Sequence, residues 1–147
     1  MGAATAPTPA GVPVILQSQP GTPLDAIARG LAAPDLAQAQ SAGEAPLVLA
    51  GTARLGSATD RPAVFVQLQS PRECGSAGCS IAVHAWIGGG WRKVLDSAGG
   101  ALTVLPARTR GMADLAAGTE HYAWTGREYR NLHPAPTVDL RPRQPRH

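Results

Sequence analysis

Apolar residues recur every third or fourth position before residue 43 and every second position after residue 46. That change of period constrains the fold more than any other feature of the chain. On the early side, Thr22, Pro23 and Asp25 read as a helix start, with threonine as N-cap, proline at the first helical position and an acid in the capping-box place. Leu24, Ile27, Ala28 and Leu31 follow at i, i+3, i+4 and i+7, which is one apolar stripe. Pro34 ends or breaks that helix. Residues 34–40 can add a further turn before Ser41, Ala42 and Gly43 close the helical part.

On the later side, Leu47 and Leu49 alternate with Val48 and Ala50, and Val64, Val66 and Leu68 alternate with Phe65, Gln67 and Gln69. Ile81, Val83, Ala85 and Ile87 lie opposite Ala82, His84 and Trp86. Residues 91–95 and 102–105 are further short strands, and Gly88, Gly89 and Gly90 make the first of them a hairpin with its predecessor. Residues 122–124 and 127–129 flank Thr125 and Gly126 as a second hairpin with a two-residue turn. The expected fold class is α+β: an N-terminal helix or two followed by an antiparallel β-meander of about six strands. It forms a single domain over residues 22–132. An extended Pro/Gly-rich lead, residues 1–21, precedes it, and within that lead the apolar run around Pro13 can add an edge strand. The tail, residues 133–147, is punctuated by proline and arginine and reads as disordered.

A chain of 147 residues is long enough to bury one self-sufficient core. The net charge of +3 says little about partners, because Arg141, Arg143 and Arg146 at the extreme end account for an excess of that size. These arginines are too sparse and too interrupted by proline for a dedicated nucleic-acid arm. No stretch reaches the roughly 18 consecutive apolar residues that a membrane span needs. The start, "MGAATAPTPAGVPVILQSQPG", has neither a basic n-region nor a sustained apolar h-region. It reads as a mature exported chain whose signal has been replaced by an initiator methionine, with a natural cytosolic start as the other reading.

The only two cysteines, Cys74 and Cys79, bracket Gly-Ser-Ala-Gly. The ends of so short a loop can meet at disulfide geometry, and a ring that small adds about 2 kcal/mol at most by loop-closure entropy. Thioredoxin-type redox chemistry needs two intervening residues rather than four, and zinc needs four ligands where only His84 is near in sequence. A structural disulfide leads, with free thiols and a metal or redox role as the alternatives. No metal site and no cofactor are expected.

The chain has no nucleophile elbow, no His-Glu-x-x-His, no P-loop and no dinucleotide fingerprint. His84 and His121 sit in strand patterns beside aromatics and could meet across a sheet, while His133 and His147 fall in the tail. A hydrolase would use one of the strand histidines with a nearby carboxylate such as Asp114. Ser76, between the cysteines, reads as a turn residue. The "WTGREYR" segment interleaves Trp124, Tyr129, Arg127 and Arg130, a composition that covers a core edge or stacks on a partner.

In order along the chain, "ECGSAGC", "IGGGWRKV", "VLPARTRGMADL" and "YAWTGREY" resemble a kind of small exported bacterial domain, periplasmic or lipoprotein-type, of uncharacterised function. The resemblance covers residues 51–130 and implies export and a disulfide. Members often carry an acidic, calcium-type turn ahead of the first of these strands, where "LGSATDRPAVFV" keeps only Asp60, so the oxygen ligands of a calcium site are missing here.

The leading expectation is a non-enzymatic periplasmic or secreted module that binds another protein of the cell envelope, such as an inhibitor or immunity protein of an envelope-acting hydrolase. Trp86, Trp91, Trp124, Arg127 and Tyr129 form its expected binding surface, because Trp, Tyr and Arg dominate interface energetics. The competing expectations are a hydrolase built on His84 or His121 and an accessory subunit of an envelope assembly.

Overall fold

The computed structural model describes residues 11–56, 61–75, 78–97 and 100–132. Residues 1–10, Asp60, Ser76 and the tail with His133 and His147 lie outside the described residues. The fold is α+β, with its antiparallel strands divided between two larger sheets and one two-stranded hairpin instead of one continuous meander. In chain order the elements are β1 (Val12–Pro13), α1 (Pro23–Leu31), α2 (Ala33–Ser41), β2 (Leu47–Ala53), β3 (Ala63–Gln69), β4 (Cys74–Gly75) and β5 (Gly78–Cys79). They continue with β6 (Ile81–Ile87), β7 (Gly90–Ser97), β8 (Thr103–Thr109), β9 (Met112–Ala117), β10 (Glu120–Trp124) and β11 (Tyr129–Asn131).

The sheet β2-β3-β6-β7 is one meander with the small β4–β5 hairpin set into its middle connection. The sheet β1-β8-β9-β10-β11 is a second meander with β1 added at its edge. Their facing sides share one core, in which Phe65, Ile81, Val83 and Ala85 of the first sheet meet Leu115, Tyr122, Trp124 and Tyr129 of the second. The other side of the first sheet carries Val48, Ala50, Val64, Val66 and Leu68, which pack against Ala28, Ala32, Leu24 and Leu31 of the helical layer. The order of layers is therefore helices, sheet, sheet.

Local chemistry explains the elements. Thr22 accepts a hydrogen bond from the Asp25 amide at 3.1 Å, Pro23 opens α1, and Arg29 Nε donates to the buried Asp25 carboxylate at 2.9 Å. Ile87 pairs with Gly90, and the two residues between them, Gly88 (φ 63°) and Gly89 (φ 83°), supply the double left-handed turn that a tight hairpin needs. The second expected hairpin forms with a longer turn. Trp124 pairs with Tyr129, leaving residues 125–128 as a four-residue loop closed by Thr125 N–H donating to Glu128 O at 2.9 Å. Pro106 falls inside β8, where the register with β9 is irregular, as proline in a sheet requires.

The lead is part of the domain from residue 11 on. Val12 and Pro13 pair with Val104 and Thr103, Val14 is buried, and Gln17 bridges to Ala50 of β2, so one short segment ties both sheets together. It crosses β2 so closely that a Cβ on Gly51 would stand 2.3 Å from the Ile15 carbonyl oxygen. Among the described residues no helix is long and apolar enough to cross a membrane.

Candidate functional site

Helix α1 rests on β2 and, to a lesser extent, β3. The same face of the sheet continues over β6 and β7, beyond the edge of the helical layer. Strand pairing places Ala82, His84 and Trp86 of β6 on that face, because His84 lies opposite Val64, one of the helix-covered residues. On β7 the pairings Trp86 with Trp91, His84 with Lys93 and Ala82 with Asp96 bring three more side chains to it. Lys93 and Asp96 are three residues apart, so strict alternation would put them on opposite faces. A bulge inserts Val94, both Val94 and Leu95 turn into the core, and Lys93 Nζ then reaches Asp96 Oδ2 at 3.6 Å.

The result is a step: helices on one side, an open shelf of β6 and β7 on the other. At one end Trp86 and Trp91 meet edge to face at 5.2 Å, both half-buried, and the Arg61 guanidinium carbon stands 3.9 Å from the Trp86 ring centre. At the other end, against the helical edge, lies a cavity of 130 Å³. Its walls include Leu31, Ala32 and Asp35 of the helices, Val66 and Leu68 of β3, Glu73, Ser80, and His84, Lys93 and Asp96 of the shelf.

The electrostatics of this cavity are uneven. Burial pushes the Glu73 carboxyl above its ordinary value, with Asp35, Asp96 and Glu44 adding to the shift and Arg72 opposing it. Burial likewise pushes His84 below its ordinary value; Lys93 adds to that and Asp96 opposes it. His84 is 5 % exposed and forms no side-chain hydrogen bond with any described residue.

Cys74 and Cys79 are disulfide-bonded and stand directly opposite each other in the β4–β5 pair. Glu73 precedes the first and Ser80 follows the second, so the staple joins the two cavity walls that those residues form. Gln67 Nε2 donates to the Cys79 carbonyl at 3.2 Å and holds the stapled hairpin to β3.

The other sequence candidates fall elsewhere. Trp124 (4 % exposed) and Tyr129 (3 % exposed) sit in the core between the sheets with ring centres 5.3 Å apart, and Tyr129 donates its hydroxyl to the Ala113 carbonyl at 2.7 Å. Both side chains are taken up by packing and neither is offered to a partner, which corrects the expectation that they form part of the binding surface. Arg127 is exposed in the 125–128 loop of the other sheet, separate from the tryptophan pair.

His84 and His121 do not meet, because they belong to different sheets. His121 instead joins Asp114, with Nε2 2.8 Å from Oδ2, and Thr109 Oγ1 donates to the other carboxylate oxygen at 2.7 Å. The threonine hydroxyl is directed to the acid, not to the imidazole, and no described hydroxyl or thiol bonds the His121 ring. As it stands the trio clamps β8, β9 and β10 together and lacks the nucleophile-to-base contact of a hydrolase.

Glu73, Asp35, Lys93 and Asp96 are cavity residues that sequence reasoning missed. The adjacency of Glu73 and Ser80 to the cysteines was a usable signal. Among the described residues no group of three or more His, Cys, Asp or Glu side chains is placed to hold a metal ion. Neither the family models nor the curated proteins nor the solved structures contain a match to this chain.

Proposed function

We propose that this chain is an exported, non-enzymatic protein-binding module of the bacterial envelope, periplasmic or secreted. In this reading it acts as an inhibitor or immunity protein of an envelope-acting hydrolase and holds its partner on the β6–β7 shelf. The observation that carries the reading is the half-buried Trp86–Trp91 pair with Arg61 over it, on a sheet face that helix α1 covers chiefly over β2 and β3. Tryptophans on a pre-formed rigid strand pair lose little freedom on binding, and tryptophan and arginine are among the residue types most often found at interface hot spots. The Cys74–Cys79 disulfide supports an oxidising compartment.

The test is capture of a partner from an envelope extract of the source organism by the purified protein and its variants. Trp86→Ala and Trp91→Ala should each weaken capture by about 30-fold, the size of a hot-spot loss. Arg130→Ala, an exposed residue of the other sheet, should leave it unchanged. Unimpaired capture by the Trp86→Ala, Trp91→Ala double variant sinks the reading.

The His121–Asp114 contact favours a second reading, a hydrolase. In that case His121→Ala would abolish an activity without affecting capture. Under the first reading His121→Ala changes neither.

A further inference from the structure

We infer that the cavity between the helical edge and the β6–β7 shelf is a receptor for a guanidinium group, the head of an arginine side chain. Four observations lead there. The walls carry three carboxylates, Asp35, Glu73 and Asp96, against one ammonium, Lys93, so the cavity favours a cation in a chain whose overall charge is positive.

His84 is more than nine-tenths buried, borders the cavity and has no hydrogen-bond partner among the described residues. No buried side-chain nitrogen of the described residues is left unsatisfied, so the His84 ring keeps its solvent contact through the cavity it borders, and a donor entering the cavity would take the place of that contact. Because His84 is held neutral, it offers a lone pair and does not repel a cation.

Among the described residues the acidic and imidazole groups are not placed to converge on a metal ion. Acceptors spread around a cavity suit a planar cation with five N–H donors in a fixed fork, which is guanidinium. The size agrees. The cavity measures 130 Å³, and apolar cavities of about 150 Å³ admit a benzene-sized molecule, so a guanidinium with part of its methylene stem fits. Leu31, Val66 and Leu68 give that stem an apolar wall. The inference rests on the partner-binding reading above for the source of the arginine, while the receptor chemistry stands on the cavity alone.

The experiment is an NMR titration of the full-length, oxidised protein at neutral pH, reading the His84 ring resonances. The probe is N-acetyl-arginine N-methylamide, and its neutral isostere N-acetyl-citrulline N-methylamide is the control. The arginine probe should give a saturable shift with millimolar affinity, and the citrulline probe none. Glu73→Gln and Asp96→Asn should each weaken the arginine probe by about tenfold, the usual loss for one charge-assisted contact. Asp96 is exposed, so its variant keeps the test open should Glu73→Gln disturb the stapled loop.

Absence of a saturable shift, an equal response to citrulline, or full affinity in both variants overturns the inference. One further arm identifies the source of the arginine. If Arg141→Gln, Arg143→Gln and Arg146→Gln together tighten probe binding, the chain's own tail occupies the cavity; if affinity is unchanged, the cavity is left to the partner. A probe that fails while the tryptophan variants still abolish capture defeats the receptor and spares the shelf. A probe that binds while those variants capture normally does the reverse.

Discussion

Tyr129 is where the distinction between core and surface aromatics is most open to test. Its ring packs against Trp124 inside the core, and its hydroxyl donates to the Ala113 carbonyl of β9 at 2.7 Å. Burial, with the Asp114 charge adding to it and Arg108 opposing, pushes that hydroxyl far above its ordinary value, so it is a donor at neutral pH. Tyr129→Phe removes one buried hydrogen bond and keeps the ring, for an expected loss of about 1–2 kcal/mol. Tyr129→Ala also empties the ring's volume between the sheets and should cost about 3–5 kcal/mol. A domain of this size has roughly 5–15 kcal/mol of stability in total, so the alanine variant gives up a large share of it. Urea unfolding followed by tryptophan fluorescence reads both losses as a fall in midpoint with an unchanged slope. Trp86→Ala, on the shelf, should cost under about 1 kcal/mol in the same assay. Losses below about 0.5 kcal/mol for both Tyr129 variants would refute the placement of the ring in the core.

Replacing Cys74 and Cys79 by serine should lower stability by about 2 kcal/mol at most and speed amide exchange from residue 70 to residue 80, leaving the core strands protected; intact denatured protein should show no free thiol to Ellman reagent. Glu73 is raised above its ordinary value of 4.5, so in the folded state it stabilises at acid pH and loses that contribution as pH rises through its folded value. Glu73→Gln should therefore be more stable than the parent at neutral pH, and the gain should vanish below about pH 4.5; an equal effect at both ends of the range would contradict the stated burial. His84 is lowered from 6.5, so the folded state takes up its proton later than the unfolded chain and stability falls as pH drops below that value. His84→Gln should flatten that limb of a stability profile.

Much of the framework was legible because single residues decide it. Thr22, Pro23 and Asp25 specify the start of α1, and the three consecutive glycines from Gly88 fix the β6–β7 turn. What alternation could not supply was the assignment of strands to sheets, since an inward residue looks the same whichever sheet it faces. β9 escaped notice because "MADLAA" has neither β-branched residues nor alternation, and its five buried positions follow from lying in the middle of its sheet.

The cavity was hidden for two physical reasons. The bulge at Val94 breaks the parity that separates Lys93 from Asp96, and Asp35 arrives from a helix far away in sequence. Aromatic content in "WTGREYR" was visible, but whether a strand aromatic faces core or solvent depends on the sheet packed over it. His121 and Asp114 were both singled out as reactive candidates, and strand pairing brings them together. That pairing turned on register, which the sequence left open.

The most direct test of the account is a hydrogen–deuterium exchange footprint of the full chain with its captured partner bound. Slowed exchange confined to β6, β7 and the residues beside the stapled β4–β5 hairpin is the result expected of a working shelf. Protection centred on the 125–128 loop or on the Asp114–His121 side of the other sheet, with β6 and β7 unchanged, would contradict it.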